Sequence, residues 1–174
     1  MGGQSTSIRF LTAADASAYF AIRLEALETE PEAFGSSPAE HRALGLDVIA
    51  SRLASDNGET FVAGAYDGER LVGTTGFYRG KELKQRHKGH IWGVYVTRDF
   101  RGRKLGRAMM RAVLDRAASI EGVEQMMIAV TTTQVAAAKL YRSLKFEPYG
   151  CERRALKIGD RYFDEQHMML ILGA

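Results

Sequence analysis

One segment of the chain places a basic, glycine-containing loop directly between a strand pattern and a helix pattern. Residues 89–97 (GHIWGVYVT) are rich in β-branched and aromatic side chains, which predicts a strand. From Leu105 onward, apolar residues recur with helical spacing and predict an amphipathic helix. The intervening loop, RDFRGRK, must therefore carry the chain from the end of a strand into the first turn of a helix.

This strand-to-helix junction favours an anionic ligand. The first turn of a helix leaves backbone N–H groups without partners, and the helix dipole adds partial positive charge there. Gly102 and Gly106 lack a Cβ and let the backbone approach a ligand closely. Formal positive charge comes from Arg101, Arg103, Lys104 and Arg107. We therefore predict a phosphate or pyrophosphate site, with an ordinary loop of solvated arginines as the alternative.

The charge distribution along the chain supports this prediction. The net charge is only +3, but residues 79–116 contain twelve basic and three acidic side chains, a local charge of +9. The rest of the chain therefore carries a charge of −6. A basic middle in an acidic body indicates an anionic ligand, although solvated surface arginines would give the same count.

The remaining patterns predict one α+β domain over residues 7–174, preceded by a disordered tail over residues 1–6. The predicted order is β α α β β β α β α β β, a mixed sheet of about seven strands flanked by about four helices. Strands are predicted at 7–12, 60–66, 71–79, 89–97, 125–131, 149–157 and 161–171. A single helix is predicted at 39–54, between a Pro- and Gly-containing loop and the second strand.

Several classes of protein are excluded by simpler features. No run of 18 apolar residues is present, so we predict no membrane span. The N-terminus has no signal-peptide pattern. One cysteine, Cys151, excludes an internal disulfide framework and a Cys-rich zinc site. We expect a cytoplasmic protein without a metal.

Two motifs in this order resemble the GNAT superfamily of N-acetyltransferases. Arg101–Gly106 (RGRKLG) is similar to the family's motif A, Q/R-x-x-G-x-G/A. Gln134–Phe146 (QVAAAKLYRSLKF) is similar to its motif B, N-x-x-A-x-x-L-Y-x-x-x-G-F. The order of predicted elements resembles the family along nearly the whole chain.

The resemblance implies a fold, a co-substrate and a set of contacts. The sheet would open as a V between the fourth and fifth strands, and acetyl-CoA would lie in that opening. Backbone groups of the fourth strand would pair with the pantetheine arm, and the amides after Arg101 would hold the pyrophosphate. Tyr141 would be the general acid that protonates the departing thiolate. The implied cofactor-binding residues are Val94, Tyr95, Val96, Arg101, Gly102, Arg103, Lys104, Leu105, Gly106, Arg107, Gln134 and Tyr141.

The sequence departs from the family pattern at four positions. Lys104 replaces a motif A glycine, where its amide can donate to a phosphate if φ is negative. Lys145 replaces the glycine before Phe146, a helix end where positive φ is often required. Gln134 replaces asparagine and lengthens that contact. Ala129 stands where some members have a glutamate base.

Other candidate residues concern the acceptor amine. His90 is a candidate general base, because it is the ionisable side chain of suitable pKa on the strand before motif A. By resemblance, substrate contacts would come from the loop between the first two helices and from the last hairpin. The candidates there are Glu32, Phe34 and Tyr162, and neighbouring acids could attract a cationic amine. Each of these residues has a purely structural alternative.

We predict that the chain transfers an acetyl group to a primary amine of a small molecule or peptide. The attack would be direct, in a ternary complex, with backbone N–H groups stabilising the oxyanion. The prediction includes no nucleic-acid or membrane partner and leaves room for a homodimer. Two alternatives stay open: a catalytically weak acetyl-CoA-binding sensor, and a basic nucleic-acid-binding module built on Lys81–Lys88.

Overall fold

A computed structural model of the chain describes residues 6–55 and 57–173. Its seven strands form one sheet in the spatial order β1-β2-β3-β4-β5-β7-β6. The strands are β1 (Thr6–Phe10), β2 (Thr60–Asp67), β3 (Arg70–Arg79), β4 (Lys88–Val96), β5 (Gln125–Thr131), β6 (Glu147–Ile158) and β7 (Arg161–Ile171). The helices in the described residues are α1 (Ala16–Thr29), α2 (Pro38–Arg42), α3 (Leu46–Ala54), α4 (Leu105–Ala118) and α5 (Val135–Ser143).

Helices cover both faces of the sheet, because successive strand residues point to opposite sides. Along β2, Phe61 and Ala63 pack with side chains of α4 and α5, whereas Val62 packs with α1 and α3. The neighbouring strands β2 and β3 are therefore buried on both faces. The mixed α+β sheet predicted from the sequence is confirmed.

The V-shaped opening between β4 and β5 is also present. The two strands are parallel neighbours, but they pair only where Lys88–His90 meets Gln125–Met127. Further along β4 the register against β3 shifts, since Thr74 faces Tyr95 while Gly76 faces Trp92. This β-bulge places an extra residue in β4 and increases its local twist. The upper half of β4 consequently diverges from β5 and leaves the site between them.

The predicted helix at 39–54 is wrong in one respect, because the structure divides it in two. Ser37 caps α2 in a capping box with Glu40, and Pro38 occupies the first turn. Gly45 then adopts an extended conformation and becomes the N-cap of α3. Residues 43–45 thus separate the two helices, and α3 packs against α1 as a helix of its own.

Two further predictions concern the ends of the chain and membranes. The predicted tail over residues 1–6 lies outside the described residues except for Thr6, which is the first residue of β1. No helix in the described part of the chain has both the length and the apolar character needed to cross a bilayer.

Candidate active site

A cleft of about 410 Å³ lies between the upper half of β4, the start of α4 and the first turns of α5. We call it the basic cleft. Its walls are Glu30, Ala33, Phe34, Val94, Tyr95, Val96, Phe100, Arg101, Gly102, Lys104, Leu105, Gly106, Arg107, Gln134, Ala136, Ala137 and Leu140. The structure thus brings together all of the predicted cofactor-binding residues except Arg103 and Tyr141.

The start of α4 supplies unpaired backbone donors to the basic cleft. No side chain caps this helix, and its first helical backbone bond runs from the amide of Ala108 to the carbonyl of Lys104. The amides of Leu105, Gly106 and Arg107 therefore have no helical acceptor. An anion placed here would satisfy these donors and interact favourably with the helix dipole.

The loop before α4 depends on two residues with positive φ. Gly102 has a φ of +78°, which glycine adopts without steric cost. Lys104 has a φ of +62°, so the negative φ on which its predicted phosphate contact depended is absent. The first-turn amides of α4, rather than the amide of Lys104, are the donors that the fold presents. At the other predicted departure, Lys145 has a φ of +69°, which confirms the predicted need for a positive φ.

Cationic side chains of the basic cleft are held in place by specific partners. Arg101 forms an ion pair with Glu30 at 2.9 Å, and its Nε donates to the carbonyl of Val96 at 3.0 Å. Arg107 donates from Nη2 to Ser143 at 2.6 Å and so links α4 to the end of α5. Arg103 instead stacks on Phe100, outside the cleft wall.

A smaller cleft of about 70 Å³, which we call the narrow cleft, lies in the V between β4 and β5. It shares Phe34, Val94, Gln134 and Ala137 with the basic cleft, so the two are continuous. Tyr141 lines its floor, and the Tyr141 hydroxyl makes no hydrogen bond to any residue in the described ranges. Burial raises the pKa of Tyr141 well above its ordinary value. The phenol therefore stays protonated at neutral pH and keeps its proton available for donation.

The other predicted residues are placed less closely together. His90 lies at the closed end of the V, where its ring stacks on Tyr78 with 4.7 Å between centroids. Burial, with a smaller contribution from Lys88, lowers the pKa of His90 below its ordinary value. Phe34 lines both clefts, whereas Glu32 lines neither. Tyr162 lies on β7 against Arg154 and Lys157, away from both clefts.

The structure adds site residues that sequence reasoning missed. Trp92 lines the narrow cleft on the α1 side, and it packs on Gly76 of the neighbouring strand. A Cβ at Gly76 would lie 2.2 Å from the indole, so the glycine creates the space for the ring. A glycine within the β3 pattern was the available signal, since strand glycines mark close approach.

A second set of ionisable groups lies on the same face of the sheet as Ala129. Ala129 is paired with His167, and Thr131 is paired with Glu165, across β5 and β7. Side chains opposite each other in an antiparallel pair point to the same face. Glu152, Glu165 and His167 bring one ligand atom each within 4.8 Å of one another. Burial first, and then the charge of Glu152, raise the pKa of Glu165, while His167 opposes this shift.

Comparisons with known proteins agree with this geometry. The family model described as the Acetyltransferase (GNAT) family matches residues 21–146. An acetyltransferase of the GNAT family from Streptococcus pneumoniae superposes with a TM-score of 0.86 at 16% identity, covering 97% of this chain and 100% of that one. The yncA protein of Salmonella typhimurium, solved with its cofactor acetyl-CoA, superposes with a TM-score of 0.83 at 23% identity, covering 98% of this chain and 95% of that one. A phosphinothricin acetyltransferase of Sinorhizobium meliloti, in complex with acetyl-CoA, superposes with a TM-score of 0.83 at 20% identity, covering 97% of this chain and 89% of that one.

Proposed function

The chain belongs to the acetyltransferase (GNAT) family, and from this premise we propose that it transfers an acetyl group from acetyl-CoA to a primary amine. The observation that carries this proposal is the continuity of the two clefts. An uncapped, arginine-flanked helix start opens directly into a V whose floor bears an unpaired tyrosine hydroxyl. A site for an anion and a site for proton transfer are thereby placed side by side.

The basic cleft fits the co-substrate by its donor set. The first-turn amides of α4 and the Arg107 side chain would hold the pyrophosphate. The edge of β4 that faces the V has no strand partner beyond His90, so backbone groups of residues 94–96 are available to an extended amide-containing arm. Acetyl-CoA, when bound, supplies an activated acetyl group as a thioester.

Tyr141 is the proposed general acid. Tyr141 lines the narrow cleft, and its hydroxyl has no competing hydrogen-bond acceptor among the described residues. The raised pKa keeps the proton on the phenol until a strong base, such as a departing thiolate, forms beside it. Phe34 and Trp92 also line this cleft, and their rings would make the surroundings of that proton apolar.

Two groups are proposed as routes for the proton that the amine must lose. Glu165 lies on the face of the sheet that carries Ala129, and its raised pKa makes it a better base than an ordinary glutamate. His90 is neutral at pH 7 because burial lowers its pKa, and it lies at the closed end of the V. Glu165→Gln and His90→Gln separate them, since only loss of the true base lowers kcat/KM.

The proposal is tested with a panel of amines, by measuring thiol release from acetyl-CoA. We expect at least one primary amine to give turnover. Tyr141→Phe should then lower kcat by about 100-fold, in the range of general acid catalysis, and leave the affinity for CoA unchanged. Tyr149→Phe is the matched control, because Tyr149 is exposed on β6 and lines neither cleft. An unchanged kcat in Tyr141→Phe would remove this residue from the mechanism.

The same panel addresses the two alternatives. Binding of CoA without thiol release from any amine would favour an acetyl-CoA sensor. A nucleic-acid module on Lys81–Lys88 is less favoured by the geometry, because Arg86 of that segment and the adjoining Arg79 are both ion-paired with Glu59. These two arginines stabilise the loop that joins β3 to β4 and are not free to contact a phosphate backbone.

A further inference from the structure

A third cavity, of about 650 Å³, lies beneath α1, α2 and α3 on the sheet face opposite α4 and α5. We call it the arginine pocket. Among the described residues that line it, Arg23, Arg52 and Lys81 carry positive charge and Glu40 carries the only negative charge. The Glu40 carboxylate already accepts hydrogen bonds from the amide and hydroxyl of Ser37. With three positive charges and one negative charge, the lining is cationic overall.

Arg23 is the unusual member of this lining. Its Nη1 is fully buried and has no hydrogen-bond partner in residues 6–55 and 57–173. Its guanidinium carbon lies 4.5 Å from the ring centroid of Phe34 and 5.9 Å from that of Trp92, and no carboxylate is paired with it. Burial lowers the pKa of Arg23, but an arginine remains charged in proteins. A buried guanidinium with an unused N–H lowers stability unless an acceptor completes it.

The position of Arg23 connects the arginine pocket to the reacting centre. A Cβ built on Gly93 would lie 3.7 Å from Nη1, so the guanidinium sits over the bulge of β4. Trp92 lines both the arginine pocket and the narrow cleft, and Phe34 lines the narrow cleft and the basic cleft. A molecule held by Arg23 would thus lie next to the cleft that contains Tyr141.

The rest of the pocket indicates what such a molecule contains. Leu27, Leu44, Ile49 and Leu53 supply apolar wall, which suits an apolar side chain. Two of the acids in the candidate substrate loops have other partners, since Glu30 pairs with Arg101 and Asp164 accepts from the amide of Arg154. None of the acids in those loops lines the arginine pocket. A polyamine would also be repelled by Arg52 and Lys81 at the rim.

We propose that the acceptor is a free amino acid with an apolar side chain, whose carboxylate is bound by Arg23 in the arginine pocket and whose α-amine points to the narrow cleft. This assignment rests on the proposed acetyl transfer. Arg52 and Lys81 attract the carboxylate, and Arg23 fixes its position through charge-assisted hydrogen bonds. The amine nitrogen then lies on the side of the ligand that faces β4 and Tyr141.

The test compares amino acids with their decarboxylated amines. Suitable pairs are leucine with isoamylamine, methionine with methylthiopropylamine, and phenylalanine with phenethylamine, with spermidine as a polyamine. We expect kcat/KM to be about 10- to 100-fold higher for the amino acid in at least one pair, the range for hydrogen bonds to a charged group. Equal or higher kcat/KM for the amine in every pair, or turnover of spermidine alone, would overturn the assignment while leaving acetyl transfer intact.

Arg23→Met provides a second, independent measurement. In this variant the advantage of the amino acid over its decarboxylated amine should disappear, so that the ratio of the two kcat/KM values falls to about 1. We expect the variant to fold, because replacing an unpaired buried charge by an apolar group of similar size is often neutral or stabilising. Arg111→Met, an exposed position on α4 across the sheet, is the matched control.

Direct binding separates failure of this inference from failure of the proposed function. Leucine, methionine and phenylalanine are titrated calorimetrically into the CoA-saturated protein and into Arg23→Met. Binding that Arg23→Met abolishes, without turnover of any amine, would retain the pocket assignment and contradict acetyl transfer. No amino acid binding to the wild-type protein would contradict the pocket assignment, whatever the amine panel shows.

Discussion

At the scale of single residues, the network around Asp15 shows how a buried charge is stabilised. One carboxylate oxygen accepts from Arg9 at 2.6 Å and from the Tyr66 hydroxyl at 2.9 Å. The other accepts from Arg9 at 2.9 Å and from the amide of Thr12 at 2.8 Å. These bonds join β1, the start of α1 and β2. Arg23, by contrast, is partly buried, and its fully buried Nη1 has no hydrogen-bond partner among the described residues. The charge of Asp15 is thus satisfied within the fold, whereas that of Arg23 is not.

The Asp15 network predicts a stability that depends on pH. The Arg9 hydrogen bond, followed by those from Thr12 and Tyr66, holds the pKa of Asp15 well below its usual value of about 3.9. Because the folded pKa is depressed, this stabilisation is complete above the unfolded pKa and is lost as pH falls towards the folded pKa. We expect the free energy of unfolding to decrease steadily below about pH 4.

Asp15→Asn measures that contribution. In urea unfolding at neutral pH, the variant should be less stable by about 2–3 kcal/mol, the range for hydrogen bonds to a charged group. The difference from the wild-type protein should shrink as the pH falls below about 4, because Asp15 then binds a proton in the unfolded state and not in the folded state. Asp160→Asn, in the exposed turn between β6 and β7, should leave stability unchanged. A constant difference at all pH values would contradict the assigned origin.

At the scale of elements, α4 is a helix whose first-turn amides have no acceptor among the described residues. It has no capping side chain, and the loop before it contains two positive-φ residues, Gly102 and Lys104. A left-handed lysine is unfavourable by about 1–2 kcal/mol, so the rest of the loop must hold it in place. Backbone strain of this kind is often found where a loop is shaped around a ligand.

Two arginines of α4 allow the effect of a positive charge at the helix start to be distinguished from that of a positive charge further along the helix. Arg107→Ala removes one cation of the basic cleft, and we expect its Kd for CoA to rise about tenfold, equivalent to about 1.4 kcal/mol. The difference from the wild-type protein should diminish at high salt, because exposed charges are screened. Arg111→Ala, one turn further along α4 and exposed, should bind CoA like the wild-type protein. Equal losses in both variants would indicate a diffuse field rather than a site.

At the scale of the whole molecule, the sheet is weakest where β4 and β5 separate. Only three residue pairs join these strands, whereas the pairing of β3 with β4 and the pairing of β5 with β7 are both longer. The basic cleft crosses this boundary, with α4 and β4 on one side and α5 on the other. A ligand that contacts both sides therefore adds contacts across the V that the free protein lacks.

This arrangement predicts a large thermal stabilisation by CoA. At a free CoA concentration of 100 times Kd, binding to the folded state contributes about 2.7 kcal/mol. For a chain of this size that corresponds to a rise in Tm of about 5–10 °C. Pantetheine, which lacks the pyrophosphate, is the control and should give a much smaller rise at the same concentration. Equal shifts from the two compounds would show that the start of α4 does not hold the pyrophosphate.

Local sequence was sufficient for the parts of the fold and site that depend on near neighbours. The strand, basic loop and helix at residues 88–118 follow from residue spacing, and so does the last hairpin around Gly159. The positive φ at Lys145 was expected because it ends a helix at a fixed position in the motif. In these segments propensity, turn chemistry and periodicity all act within a few residues.

Other features were decided by contacts between residues distant in the chain. The break at Gly45 depends on how α3 packs against α1, and the helical pattern of 39–54 does not reveal it. The Trp92 ring is accommodated by Gly76, and the unpaired Arg23 lies between Phe34, Trp92 and the β4 bulge. Sequence by itself determined the family and the basic loop that leads into α4, because the motifs that carry them are continuous segments. Only the tertiary structure decided the charge of the arginine pocket, because its lining comes from three helices and several strands whose meeting no local pattern encodes.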